Sequence, residues 1–129
     1  MKRALAAAAV LLLLGCNPSP TGPSSCIDIS AKYTGTFRDS CGGLITTDVT
    51  LFLLSRCRFI GEVPGLGTIQ GTVDGALLVL TVAFSPCGGS AAGSGQIDAH
   101  GNISGTYNGN QTASGCCAVL SGSFTLTRQ

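Results

Sequence analysis

An all-β domain, closed as an eight-stranded antiparallel up-and-down meander barrel and stapled by disulfides, is the fold this sequence predicts. Three observations lead there. First, five segments share one pattern: "YTGTF" (33–37), "FIGEV" (59–63), "IQGTV" (69–73), "ISGTY" (103–107) and "LSGSF" (120–124). Each sets a large apolar residue, one residue, Gly, one residue and a second large apolar residue. Second, turn signals separate these segments at short intervals. Third, no apolar period of 3.6 extends over ten or more residues after the N-terminal stretch.

The first observation is a statement about faces. In a strand, residues i, i+2 and i+4 share one side of the sheet. Tyr33, Gly35 and Phe37 therefore alternate with Thr34 and Thr36, and Ile103, Gly105 and Tyr107 alternate with Ser104 and Thr106. This is the period-2 signature of half-buried antiparallel strands. Glycine weakens a strand interior, so its repeated use there needs a reason. On an inward face it leaves room for a neighbour's large side chain and lets the strand coil, as closure of a small barrel requires.

Read in order, strands are expected at about 32–38, 45–54, 57–63, 66–73, 76–84, 94–99, 102–108 and 117–127. Pro64-Gly65 ends the third. Asp74-Gly75 is a two-residue hairpin signal between the fourth and fifth. "HGN" (100–102) turns the sixth into the seventh. Short links favour a meander, and eight strands suit a small barrel; a two-sheet β-sandwich is the alternative. A transmembrane barrel fits poorly, because aromatic girdles are required there and this chain is 5% aromatic with no Trp.

The N-terminus carries a different message. Met1-Lys2-Arg3 precedes an unbroken apolar run, Ala4 to Leu14, too short to span a bilayer as a helix. The run ends in "LLGC" (13–16), which resembles the lipobox of bacterial lipoproteins: Leu13 at −3, Gly15 at −1, then Cys16. The resemblance implies a signal peptide over 1–15, cleavage before Cys16 and acylation of its thiol. Residues 16–25 would then be the lipidated cysteine and a flexible Pro/Ser/Gly tether, with the barrel domain over 26–129. It further implies anchoring to the bacterial cell envelope through the N-terminal lipid. Asn17 at +2 is not the Asp associated with inner-membrane retention, so the outer membrane is the expected site in a Gram-negative cell.

From Cys26 onward the side-chain charges are five cationic (Lys32, Arg38, Arg56, Arg58, Arg128) against six anionic (Asp28, Asp39, Asp48, Glu62, Asp74, Asp98). There is no basic run, so the electrostatic footprint of a nucleic-acid binder is missing. About a hundred residues suffice for one small domain.

Besides Cys16 there are six cysteines: Cys26, Cys41, Cys57, Cys87, Cys116 and Cys117. An even number in an exported small domain points to three disulfides. The meander narrows their pairing. Cys26 and Cys57 fall at one end of the barrel, whereas Cys41, Cys87, Cys116 and Cys117 fall at the other. The expected bridges are Cys26–Cys57, with Cys41 and Cys87 taking Cys116 and Cys117 in an order the sequence leaves open. Four thiols at one end could alternatively hold zinc, although no CxxC spacing occurs.

Catalytic signals are sparse. His100, the sole histidine, lies in a turn. Ser94, Ser104 and Ser114 lack a G-x-S-x-G setting, and Asp39 with Asp48 makes at most a bland carboxylate pair. No phosphate loop or zinc-protease helix is present. No enzyme activity and no cofactor are expected.

Two segments, "LFLL" (51–54) and "ALLVLTVAF" (76–84), are apolar on both faces. Either the second face is covered within the domain, or it binds a partner or a second copy through Leu78, Leu80 and Val82. "YTGTF" together with "HGNISGTYNG" is similar to strand motifs of avidin-like and lipocalin-like barrels. Phe37 stands where those families often carry Trp, and no ligand residue is transferred. Two functions follow: a structural or protein-interaction module at the cell envelope, or a carrier of a small hydrophobic ligand.

Overall fold

A computed structural model describes residues 26–129; the expected signal peptide (1–15), Cys16 and the tether to residue 25 lie outside the described residues. Eight antiparallel strands form one closed barrel in sequence order. They are β1 (Ala31–Asp39), β2 (Leu44–Leu53), β3 (Arg58–Val63), β4 (Gly67–Asp74), β5 (Leu77–Phe84), β6 (Ser90–Ile97), β7 (Ile103–Asn110) and β8 (Val119–Arg128). Closure comes from β1 pairing with β8, where Phe37 stands opposite Phe124. The meander is therefore correct, and the sandwich alternative is not adopted.

One boundary differs appreciably from expectation. β6 begins at Ser90, four residues before the predicted start at 94. Its first half, Ser90-Ala91-Ala92-Gly93, has no large apolar residue to mark an alternation. Ala91 is nonetheless inward and buried, paired with Val82 across the sheet. The β4–β5 turn also shifts by one residue. Asp74 pairs with Leu77, so the loop residues are Gly75 and Ala76, with Gly75 at φ 59°. A glycine first in a two-residue hairpin loop is what a positive φ at that position selects.

All five repeat glycines face inward, each in line with the buried apolar residues two positions away. They stand opposite bulky partners: Gly122 faces Tyr107, Gly105 faces Phe124, Gly71 faces Phe59, Gly61 faces Leu51, and Gly35 faces Leu126. Small and large residues thus alternate around the barrel, which is how a narrow interior reaches interior packing density. The ring centroids of Phe37 and Phe124 lie 6.1 Å apart, and those of Tyr107 and Phe124 lie 6.4 Å apart. Free space at the centre amounts to about 10 Å³, bordered by Phe37, Phe59, Leu80, Tyr107 and Phe124. That is at the limit of room for a single water.

Both ends are closed. At the lower end, residues 26–30 fold across the opening and bury Ile29. Hydrogen bonds to β1, β2 and β8 help hold this segment. The Tyr33 hydroxyl donates to the Ile29 carbonyl (2.8 Å), Leu53 N–H to the Ser30 hydroxyl (2.8 Å), and the Arg128 guanidinium to the Asp28 carbonyl (3.3 Å). At the upper end the buried Leu66 and Phe84 close the interior, and Ser85 N–H donates to the Leu66 carbonyl at 2.9 Å.

Candidate functional site: the outer wall of the barrel

With the interior filled, surface chemistry has to be sought outside it. The cysteines come first, because they tie the loops to the ends. Cys26 joins Cys57 at the lower end, with their Cα atoms 5.6 Å apart. Cys41 joins Cys117 and Cys87 joins Cys116 at the upper end, both at 6.0 Å. All three spacings lie within the usual range for a disulfide. The order left open at Cys116 and Cys117 is thereby decided: the β1–β2 turn takes Cys117, and the β5–β6 loop takes Cys116.

This pairing removes the zinc alternative. Among the described residues the carboxylate of Asp39 approaches the sulfurs of Cys41 and Cys117, but those sulfurs are joined to each other and offer no thiolate. Asp39 has another role. One of its oxygens accepts from Cys41 N–H and Gly43 N–H, both at 2.9 Å, and so shapes the β1–β2 turn.

The other candidates for catalysis do not converge. Asp48 faces outward on β2 opposite Thr34, and its carboxylate accepts from the Gln129 amide at 3.1 Å. Asp39 lies five residues further along β1 from Thr34, about 16 Å away at strand spacing. Ser94 and Ser104 are exposed on β6 and β7, and Ser114 is exposed in the β7–β8 loop. His100 sits in the β6–β7 turn, where its N–H donates to the Asp98 carboxylate at 2.8 Å. Asn102 N–H donates to the same oxygen at 2.9 Å, and the two backbone bonds hold the Asp98 carboxyl below its usual value of 3.8. Asp98 is a turn-former. In the interior, burial pushes the Tyr33 and Tyr107 phenols up, with the Asp39 charge adding to the effect at Tyr107.

The apolar second face of β2 and β5 is real, but its residues are not those expected. Leu78, Leu80 and Val82 point inward and are buried. The β4–β5 register explains this: Val73 pairs with Leu78, Gly71 with Leu80 and Ile69 with Val82. Partners directly opposite share a face, so the inward β4 residues draw these three inward as well. The outward set is Leu77 and Val79, and Val79 is 49% exposed. On β2 and β3, besides Leu44 at the upper start of β2, the outward apolar residues are Phe52 (55% exposed) and Ile60 (43% exposed), which stand directly opposite each other. Leu54, just beyond β2, is also exposed.

Phe52, Leu54, Ile60 and Val79 border two neighbouring clefts that open to solvent across β2–β5. The upper cleft, about 600 Å³, runs along Asp48, Thr50, Phe52, Ile60 and Glu62. The lower cleft, about 380 Å³, runs along Leu54, Arg58, Ile60, Thr72 and Val79. Ile60 and Gln70 border both. At the lower rim, exposed Arg56 and Arg58 flank Cys57. Arg56 and Cys57 hold positive φ angles of 61° and 59°, an uncommon region for residues other than glycine. Sequence reasoning missed Phe52, Ile60 and Val79 as a group because they lie on three strands and meet only through register.

Comparison with known proteins adds the fold and nothing finer. No protein-family model matches the chain, and no curated protein matches it. Among solved structures, EF1p2_mFAP2b bound to DFHBI is similar, with a TM-score of 0.64 at 14% identity over 78% of this chain and 94% of that one. The likeness is one of barrel architecture.

Proposed function

We propose that this protein is an exported, lipid-anchored module of the bacterial cell envelope that works through the outside of its barrel. The observation that carries the reading is the filled interior: about 10 Å³ of free space against a few hundred for a typical small-molecule site. What is left to recognise a partner is the outer wall, where apolar side chains stand in open clefts. The lipobox-like "LLGC" ending at Cys16 supports the anchor, and three disulfides suit an oxidising compartment. The non-catalytic assignment draws support from the dispersal of His100, Asp39, Asp48 and the three serines.

A second reading, a carrier for a small hydrophobic ligand, draws on the solved neighbour, whose barrel is bound to DFHBI. For this chain it requires Phe37, Phe59, Tyr107 and Phe124 to vacate the centre they share. Native mass spectrometry of protein purified from its host membranes tests both readings. The expected species is the chain from Cys16 onward carrying acyl groups and no other adduct. A retained lipophilic mass that dissociates without breaking covalent bonds would reverse the ranking.

A further inference from the structure

The lower half of the outer wall is zoned. Phe52, Leu54, Ile60, Leu77 and Val79 are exposed across β2–β5. Arg56 and Arg58 form its lower rim, and the acidic residues Asp48 and Glu62 lie at its upper border, beside the upper cleft. Asp74, opposite Leu77 at the end of β4, is acidic at the lower border of this wall, and the exposed Asp28 lies in the lower-end segment two residues from Cys26. Apolar side chains with cations along one edge and anions along the opposite edge form a surface with a preferred orientation toward a negatively charged plane.

The chain's own connectivity says what that plane is. The described residues begin at Cys26, which the disulfide to Cys57 holds on this same rim, between Arg56 and Arg58. Cys16 lies ten residues earlier, a covalent reach of at most about 35 Å. A chain end addressed to a membrane by its apolar run thus leaves the barrel beside the apolar wall. We propose that the lower wall of β2–β5 docks on an anionic lipid surface, with Phe52, Leu54 and Ile60 entering the headgroup layer and Arg56 and Arg58 meeting lipid phosphates. This rests on the lipid-anchor reading for delivery and adds which face of the barrel lies against the bilayer. The anchor raises the effective concentration of the wall at the surface, so that a modest patch suffices.

The test uses the absence of tryptophan from the chain. Full-length protein is purified from its host with one reporter, Phe52→Trp on the wall or Val119→Trp at the upper end, both positions being exposed. Each is reconstituted into phosphatidylglycerol vesicles with brominated acyl chains. Docking predicts strong quenching at position 52 and little at position 119. Arg56→Asn and Arg58→Gln should each weaken the wall contact about fivefold, with asparagine chosen because it tolerates the left-handed backbone at that position. Equal quenching at both positions, or none at 52, overturns the proposal. So does quenching that disappears as concentration-dependent self-association sets in, which would assign the wall to a second copy. Intact mass separates the two claims. If Cys16 carries no acyl chain the anchor reading fails, and the same protein added to vesicles from solution still tests the wall: quenching at 52 upholds it, and its absence overturns it.

Discussion

Tyr107 and Gly122 stand directly opposite each other on β7 and β8, and the tyrosine ring fills the space that a Cβ on Gly122 would need. Such an atom would lie 2.6 Å from the phenolic oxygen and closer still to the ring. The pair is a size match made between neighbouring strands, and it can be tested as one. Gly122→Ala should destabilise the domain by about 1–3 kcal/mol, the usual cost of overpacking. Tyr107→Leu should cost a comparable amount by leaving a void. The double variant should lose less than the two together, by a coupling of about 0.5–3 kcal/mol. Denaturant titration of the four proteins closes the cycle, and strict additivity would contradict the match.

The glycines should not be equivalent. A Cβ on Gly105 would meet backbone: the Ser94 carbonyl, and the Gly95 Cα at 2.6 Å. A Cβ on Gly35 would meet side chains instead, the nearest being Val49 at 2.8 Å. Side chains can move where paired strands cannot. Gly105→Ala is therefore expected to cost more than Gly35→Ala, and Gly105→Val to cost most, beyond about 3 kcal/mol. Thermal melts of the three variants rank them. An unchanged melting temperature for Gly105→Val would undermine the account of β6–β7 packing.

Leu80 and Val79 are neighbours with opposite fates. Leu80→Lys places an ammonium among buried apolar side chains, a change expected to prevent folding or to cost several kcal/mol. Val79→Lys leaves its charge in solvent and should change stability by less than about 0.5 kcal/mol. Circular dichroism and gel filtration of the two proteins distinguish them at once. The contrast also means that any test of the outer surface has to be made at 52, 60 or 79, and not at 80.

Removing a disulfide should depend on the loop it closes. The bridge Cys41–Cys117 spans 76 residues, whereas Cys26–Cys57 spans 31. Loop-closure entropy then predicts about 4.5 against about 3.7 kcal/mol as upper values, with strain and residual structure lowering both. Paired Cys→Ala variants, unfolded by denaturant under non-reducing conditions, give the order.

Acid should act on the β6–β7 turn. The Asp98 carboxyl is held below 3.8 by the N–H groups of Asn102 and His100. A lowered folded value means that its contribution is present above pH 3.8 and is lost as pH falls through the folded value. Asp98→Asn should accordingly flatten the fall in stability below about pH 4, while neutral pH shows only a small loss. Melting temperatures between pH 2 and pH 7 for both proteins give the comparison.

Much of this architecture was legible in the chain. Tyr33-x-Gly35-x-Phe37 and its four counterparts assign inward and outward faces, because a period of two is a local property. The cysteines sort to two ends once the strands are counted. What could not be read locally depended on register. Ser90 to Gly93 carries no large side chain, so that half of β6 is visible only through its partners on β5 and β7. The face of "ALLVLTVAF" was ambiguous because both its faces are apolar, and the β4–β5 hairpin decided it. Val73 was already inward, and its cross-strand partner Leu78 had to follow. Cys117 rather than Cys116 took Cys41 because adjacent residues in that loop point to different neighbours. The same holds for Phe52, Ile60 and Val79, which are far apart in sequence and adjoin only on the closed sheet. Alternation along a strand is encoded one residue at a time, and it determined the barrel; which side chains meet across strands is set by long-range pairing, and only the tertiary structure decided that the interior is full and that Phe52, Ile60 and Val79 share one stretch of the outer wall.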